Sequence, residues 1–314
     1  MRLINAFKIA VNNYVLVFKN LLYKAIVLAL FATVLGLILK VRFKPLIEQF
    51  QPVLAEVKKI LPALTDGTLT EQASALKTAL LGFVEYLSGN VGSLVTTVFI
   101  VVLFFYLYRF VSTVSDAVLT ILIYDYMSSL SHMGYLTTLA ENFKKIIVYQ
   151  LIETLVSLIW DFFIGAVGYF LFLGLMKAEP VLSVFFTGTL FVLAFSVKQT
   201  CMSQVRAQML IVGEKTVASF RNGFRLTRKN FLRMMSTYFT TSVVFLYLGV
   251  TVSLFTLGIG DIIFLPFSSL FLVCLKQVDY FVNNKKKYFI DYDTIVVPKE
   301  LRENDEQLLS DVEI

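Results

Sequence analysis

The chain has 314 residues, of which 57% are hydrophobic and 16% charged, with mean hydropathy +0.76 and a formal net charge of +6 at pH 7. Soluble domains average about 25% charged residues, so there is too little polar material here to coat a water-soluble globule. The composition points to bilayer-spanning helices; without recurring strand-period alternation it does not favour an outer-membrane barrel.

Residues 1–24 carry Arg2, Lys8, Lys19 and Lys24 and no acid. The first span is predicted over 21–41, with an uninterrupted apolar part from Ala25 to Leu39. Lys24 and Lys40 are then expected to snorkel to opposite interfaces. No small-residue cleavage site follows this run, so it reads as a retained span.

Segment 42–90 holds five basic and five acidic residues. Leu46, Phe50, Val53, Val57, Ile60 and Leu64 follow a helical period. After Pro62 and Asp66-Gly67, Thr68 and Glu71 have capping-box spacing, opening a second run through Leu76, Leu80, Val84 and Leu87. Two short amphipathic helices are expected, lying on the outer leaflet or packed together. They serve either as a lid or partner surface, or simply close that side.

Span two starts near Val91, passes through SLVTTVFIVVLFFYLYRF, and is open to continuation past Asp116. Arg109, Ser112 and Asp116 share a helical face, as a polar seam or a solvated extension. Span three, about 146–174, contains Asp161 within SLIWDFFIGAVGYF. A carboxylate at that depth is costly and normally faces the bundle or a water-filled cavity. Its candidate partners are Arg109, Lys198 and Lys276, in a coupling role or a structural one. Glu153, near the inner interface, calls for no special role, and Gly165, Gly168 and Gly174 permit close packing or bending.

Span four is predicted over 181–201, spans five and six over 235–257 and 261–282, with a short turn at Gly258 and Gly260. Pro266 should interrupt the ladder of span six. From Lys198 to Arg233 there are eight basic residues against the single Glu214, and Lys285, Lys286 and Lys287 follow span six. The positive-inside rule therefore puts both termini in the cytosol, in agreement with an even number of spans. A bacterial cytoplasmic (inner) membrane is the expected location. Residues 288–314, with eight acidic and two basic residues, read as a mostly disordered acidic tail. Its charge suits the basic inner face, whose residues 1–287 hold 26 basic and 14 acidic groups.

Projected as one helix, 220–235 puts Phe220, Phe224, Phe231, Met234 and Met235 on one side and Arg221, Arg225, Arg228 and Lys229 on another. That pattern suits an interfacial helix whose cations meet anionic lipid; Arg221, Arg225 and Arg228 also suit a specific anion site. The stretch has relatives. NAFKIAVNNYVLVFKN (5–20), GYLTTLAENFKKIIVY (134–149) and NGFRLTRKNFLRMMST (222–237) align without gaps, each with Asn before an aromatic: Asn13-Tyr14, Asn142-Phe143, Asn230-Phe231. The even spans echo one another through Arg109, Lys198 and Lys276. The chain thus reads as three units of surface helix, inbound span and outbound span: 1–133 with its insert, 134–215 and 216–287.

The juxtamembrane SFRNGFRLTRKNFLRMM and the terminal FLVCLKQVDYF, followed by a basic run and Tyr292-Asp293, resemble bacterial six-span integral-membrane proteins around the glycerophosphoryl diester phosphodiesterase membrane-domain group. The resemblance spans about 1–295 and implies a six-helix architecture. It carries over no active-site residue, and the long segment 42–90 departs from the compact hairpins expected of the group.

Cys201 and Cys274 are too few for a disulfide scaffold, and His132 stands without a metal-ligand cluster or a nucleophile beside it. No catalytic residue, metal or cofactor is expected, and no nucleic acid. A non-enzymatic scaffold or accessory protein that organises anionic lipid or a partner complex, the partner meeting segment 42–90, is the leading expectation. The alternative is a small-solute or lipid transporter with Asp161 in a polar cavity. The distinguishing feature is whether Asp161 faces such a cavity or is satisfied in a closed bundle.

Overall fold

Six helical segments are long and apolar enough to cross a bilayer: Val15–Ile38, Val95–Ser129, Phe143–Leu175, Leu182–Val212, Phe231–Thr256 and Asp261–Asn283. The computed structural model describes residues 2–66, 69–176 and 179–298. It is an all-α, multi-pass membrane protein. In chain order the helices are α1 (Arg2–Asn12), α2 (Val15–Asp66), α3 (Leu69–Gly89), α4 (Val91–Ser129), α5 (Tyr135–Glu141), α6 (Phe143–Met176) and α7 (Pro180–Ala207). A π-helical turn (Gln208–Val212) leads to α8 (Thr216–Lys229), α9 (Phe231–Thr256) and α10 (Asp261–Asn283). The pair β1 (Tyr288–Phe289) and β2 (Ile295–Val296) follows, antiparallel, with Tyr288 opposite Val296.

Asparagine ends each short helix that precedes an odd-numbered span. The side-chain amide of Asn13 donates to Ile9 O at 2.9 Å, and that of Asn142 to Thr138 O at 3.2 Å. Such bonds offer the backbone an alternative to the helical ladder. Asn142 (φ −105°) and Asn230 (φ −127°) leave helical geometry, after which α6 and α9 begin at once. The stretch 220–235 is therefore not one helix, as its projection assumed. Phe231, Met234 and Met235 belong to α9, and Met234 is fully buried.

The chain divides into two compact units, Met1–Ala25 with Phe110–Ile314, and Ile26–Arg109. In the larger, α10 is central: 50% of its apolar window is buried, against 6% for α9. α1 packs on α10 through Ala6, Ile9 and Ala10. α8 packs on α7 through Ser219, Gly223 and Thr227. A Cβ on Gly223 would lie 2.8 Å from the Val205 backbone nitrogen, so only glycine allows this approach. α5 is tied to α4 where the Tyr135 hydroxyl donates to Ser115 Oγ at 2.6 Å. Burial pushes the Tyr135 phenol well above its ordinary pKa and keeps it a donor.

Within the smaller unit, Phe31 packs edge-on to Phe104 and Tyr108, and Phe50 lies 5.0 Å from Phe83 between ring centres. The first of the two expected outer helices is not separate: α2 runs unbroken from Val15 to Asp66. Arg42 and Lys44 lower the hydropathy there without ending the backbone ladder. The second is α3. Gly67 and Thr68, and with them the capping box, lie outside the described residues, as do the side chains of Leu46, Ile60, Leu64 and Leu87.

Residues 288–298 also differ from expectation. They form the small hairpin rather than the start of a disordered tail, with Tyr288 and Ile290 buried. Asn5 donates to the Tyr288 hydroxyl at 2.8 Å, and Asn12 and Tyr126 both donate to Ile290 O. The remainder of the acidic stretch, 299–314, lies outside the described residues.

Candidate membrane-embedded cavity

Asp161 sits near the middle of α6, on its Trp160–Ile164 turn, and its carboxylate lies 3.3 Å from the ammonium of Lys198 on α7. Lys198 is among the partners the sequence offered. The pair stands on the wall of a cavity of about 510 Å³ between α6, α7, α9 and α10. Trp160, Ile164, Phe191, Phe195, Phe245 and Leu246 make the rest of that wall mostly apolar, with Ser242 and Ser268 as further polar points. Phe191, Phe195 and Leu246 are themselves exposed, so the cavity opens sideways along the spans. The Lys198 side chain is 8% exposed and that of Asp161 35%, which makes the carboxylate the member that faces the opening.

At Gly168, one turn beyond Ile164, a side chain of α7 comes close. A Cβ there would lie 2.8 Å from the tip of the Phe191 ring, whereas Gly165 and Gly174 have nothing within 4 Å. Close packing is thus the role of one of the three glycines. It holds Phe191 at the cavity edge.

Further buried charges tie the helices together. Lys24 on α2 lies 2.9 Å from Asp116 on α4, and Ser269 on α10 donates to the same carboxylate at 2.7 Å. Asp116 thus pairs with a lysine from α2. Arg109 belongs to the other compact unit, where it is half-buried. Glu153, for which the sequence suggested no special role, is paired with Arg206: one guanidinium nitrogen donates to both carboxylate oxygens at 2.9 and 3.0 Å. Arg206 Nε also donates to Tyr149 at 2.9 Å, and the guanidinium lies over that ring. Lys276 on α10 is 6% exposed and stands in the field of Glu153 and Asp116 as well as of Arg206 and Lys198. Buried charges persist where they are paired and hydrogen-bonded, and these pairs link α2 to α4 and α6 to α7.

The four cations expected to meet lipid, Arg221, Arg225, Arg228 and Lys229, are all exposed on α8. Arg225 and Lys229 border a hollow of about 290 Å³ with Gln208 and Glu214, where Asn222 donates to the Glu214 carboxylate at 2.9 Å. Arg221 and Arg228 do not join that lining. Phe220 and Phe224 lie 5.9 Å apart between ring centres, beside the small-residue face that packs on α7.

Fold and cavity together define a helical multi-pass membrane protein with a charged pair on a laterally open, mostly apolar cavity. No family model, curated protein or solved structure matches this chain.

Proposed function

We propose that the chain is a lipid transporter whose cavity receives a phospholipid, polar head at Asp161 and Lys198 and acyl chains along Phe191, Phe195 and Leu246. The observation that carries this reading is the position of the ion pair. A structural pair gains from being sealed in a closed bundle, but this one stands on the wall of an open cavity inside the spans. Opposite charges side by side complement a zwitterionic or hydrogen-bonding headgroup, and a volume near 510 Å³ is in the range of ligand sites, about 300–1,000 Å³.

The test is lipid movement in vesicles reconstituted with the full chain, followed by dithionite quenching of a fluorescent phospholipid. Wild type should move lipid faster than protein-free vesicles, and Asp161→Leu should slow it by about tenfold or more, the equivalent of 1.4 kcal/mol. Equal rates for wild type and variant at matched reconstitution would sink the coupling role, and no movement above protein-free vesicles would sink the transporter.

The same reading puts both termini on the cytosolic side of a bacterial cytoplasmic membrane, supported by the loop charges, with α8 at the headgroup boundary. Threefold internal repetition is supported by three short helices that end at Asn before a span. It is supported too by their packing: α5 on α4, α8 on α7 and α1 on α10. Each prefix thereby rests on the outbound span of the preceding unit, the first closing onto the third. Kinship with the phosphodiesterase membrane-domain group remains a proposal from layout.

One observation favours the scaffold reading as a second role. Ile47, Leu54, Val57, Leu80, Leu81 and Val84 are exposed on α2 and α3 beyond the spans, which suits contact with a membrane-protein partner. Replacing 42–90 by a short linker separates the roles: lipid movement should persist while co-purification of that partner is lost.

A further inference from the structure

The mouth of a second hollow, of about 450 Å³, collects cations from separate parts of the chain: Arg2, Lys229, Arg233, Lys285 and Lys286. Lys229 and Arg233 stand one turn apart across the break at Asn230, and Lys285 and Lys286 follow the last residue of α10. The Asn230 amide donates to Asn283 Oδ1 at 3.0 Å and pins the two span ends together. Asp279 lies 2.6 Å from Arg2 and offsets one charge. The lining itself contains no carboxylate among the described residues, and beyond the Arg2–Asp279 pair it still gathers Lys229, Arg233 and Lys286.

Topology alone asks for basic residues near span ends, but it does not ask for convergence on one hollow. The backbone adds a second observation. Lys285 has φ +53°, the left-handed conformation that favours glycine, and the Lys286 N–H closes the helix end by donating to Phe281 O at 2.9 Å. A lysine at that position accepts a strain that glycine would avoid. The same turn sets the Lys286 ammonium 5.3 Å over the Tyr280 ring. Because α9 starts its span at Phe231 and α10 ends at Asn283, the hollow lies at the level where phosphates sit.

We propose that this hollow is a phosphate site that takes a phosphomonoester, carried by a lipid headgroup or by a soluble phosphorylated molecule at the membrane surface. It is distinct from the transport cavity and does not depend on the role proposed for Asp161. A phosphomonoester carries about −1.5 to −2 charges at neutral pH, which matches several converging cations better than the single charge of a diester does. Arg233 supplies paired donors and the lysines supply point charges.

Calorimetric titration of the full chain in neutral detergent tests this with four probes: dioctanoyl phosphatidic acid, dioctanoyl phosphatidylcholine, glycerol 3-phosphate and inorganic phosphate. Phosphatidic acid should bind about tenfold or more tightly than phosphatidylcholine, and Arg233→Gln with Lys286→Gln should weaken it by about tenfold. The exchange Arg233→Lys with Lys286→Arg should stay within about threefold of wild type. Binding of phosphatidic acid alone identifies a lipid as the source, and binding of glycerol 3-phosphate as well identifies a soluble phosphomonoester; either supports the site. Should the Gln double variant lose its unfolding transition, the exposed Lys229→Gln alone should weaken binding by about threefold. Phosphatidic acid that binds no tighter than phosphatidylcholine, or a folded Gln variant that binds as tightly as wild type, overturns the proposal.

Discussion

Replacing Glu153 with leucine would leave the Arg206 guanidinium buried without its carboxylate. The Arg206 side chain is 5% exposed, and its bonds to Glu153 at 2.9 and 3.0 Å are charge-assisted. Both would disappear, while the bond from Nε to Tyr149 at 2.9 Å would remain. Arginine does not shed its proton in a protein, so the charge must be tolerated or exposed. Removing one partner of such a pair costs about 3–5 kcal/mol. Replacing both, as Glu153→Leu with Arg206→Met, removes the orphaned charge together with its partner and is often neutral or stabilising by about 1–4 kcal/mol. Here the guanidinium also covers the Tyr149 ring at 5.4 Å, a contact worth about 0.5–2 kcal/mol that the double variant forgoes. The two effects offset, and the double variant should fall within about 1 kcal/mol of wild type. Equilibrium unfolding in mixed micelles reads this out through Trp160, the single tryptophan, which lies on α6 with Glu153. A single variant that loses less than about 1 kcal/mol, or a double variant that loses as much as the single, would refute a coupled buried pair.

Gly168→Leu should turn the Phe191 ring into the cavity; overpacking costs about 1–3 kcal/mol, so lipid movement should fall about fivefold or more, whereas Gly165→Leu, with open space around it, should leave the rate unchanged. Lys285→Gly relieves the left-handed residue and should stabilise the fold by about 1 kcal/mol in the same unfolding assay while weakening phosphatidic acid binding; a loss of stability would contradict the reading of that turn. Residues 299–314 carry six acidic and two basic groups and begin beside Pro298, which lines the basic hollow. Their removal should tighten phosphate binding at low salt and have no effect near 1 M salt, where the screening length is about 3 Å; unchanged affinity at low salt would show that the acidic stretch does not act on the site.

The spans were legible because hydropathy reports burial in lipid directly, and the predicted ranges of spans three, five and six lie within about four residues of the helices found. Span four is an instructive exception. Gln204, Arg206 and Gln208 lower the hydropathy after Cys201, so the sequence ended the span there and left Arg206 out of it. In the structure the span continues to Val212, and Arg206 enters the core because Glu153, on a different helix, satisfies it. That information is tertiary; no local pattern contains it. Asp161 was conspicuous as a lone carboxylate in an apolar run, and its partner was narrowed to three cations by their repeating positions. That Lys198 is a partner follows only from the approach of α7 to α6. The break at Asn230 did leave a signal, since Asn stands at the same place in all three aligned stretches, but a continuous helical projection overrode it. The hairpin after α10 was hidden by the acidic residues in its turn, although the apolar YFI and TIVV flanking DYD carried a strand-like hint. The five-cation hollow was legible as composition and not as geometry, because Arg2 is brought to Lys286 only when α1 packs on α10.

Electron cryomicroscopy of the full chain in phospholipid nanodiscs addresses the transport cavity most directly. Headgroup density is expected within about 3.5 Å of Asp161 and Lys198, with acyl density running past Phe191, Phe195 and Leu246. A cavity closed by side chains, or one left empty while surrounding lipids are resolved along the other spans, would contradict the account.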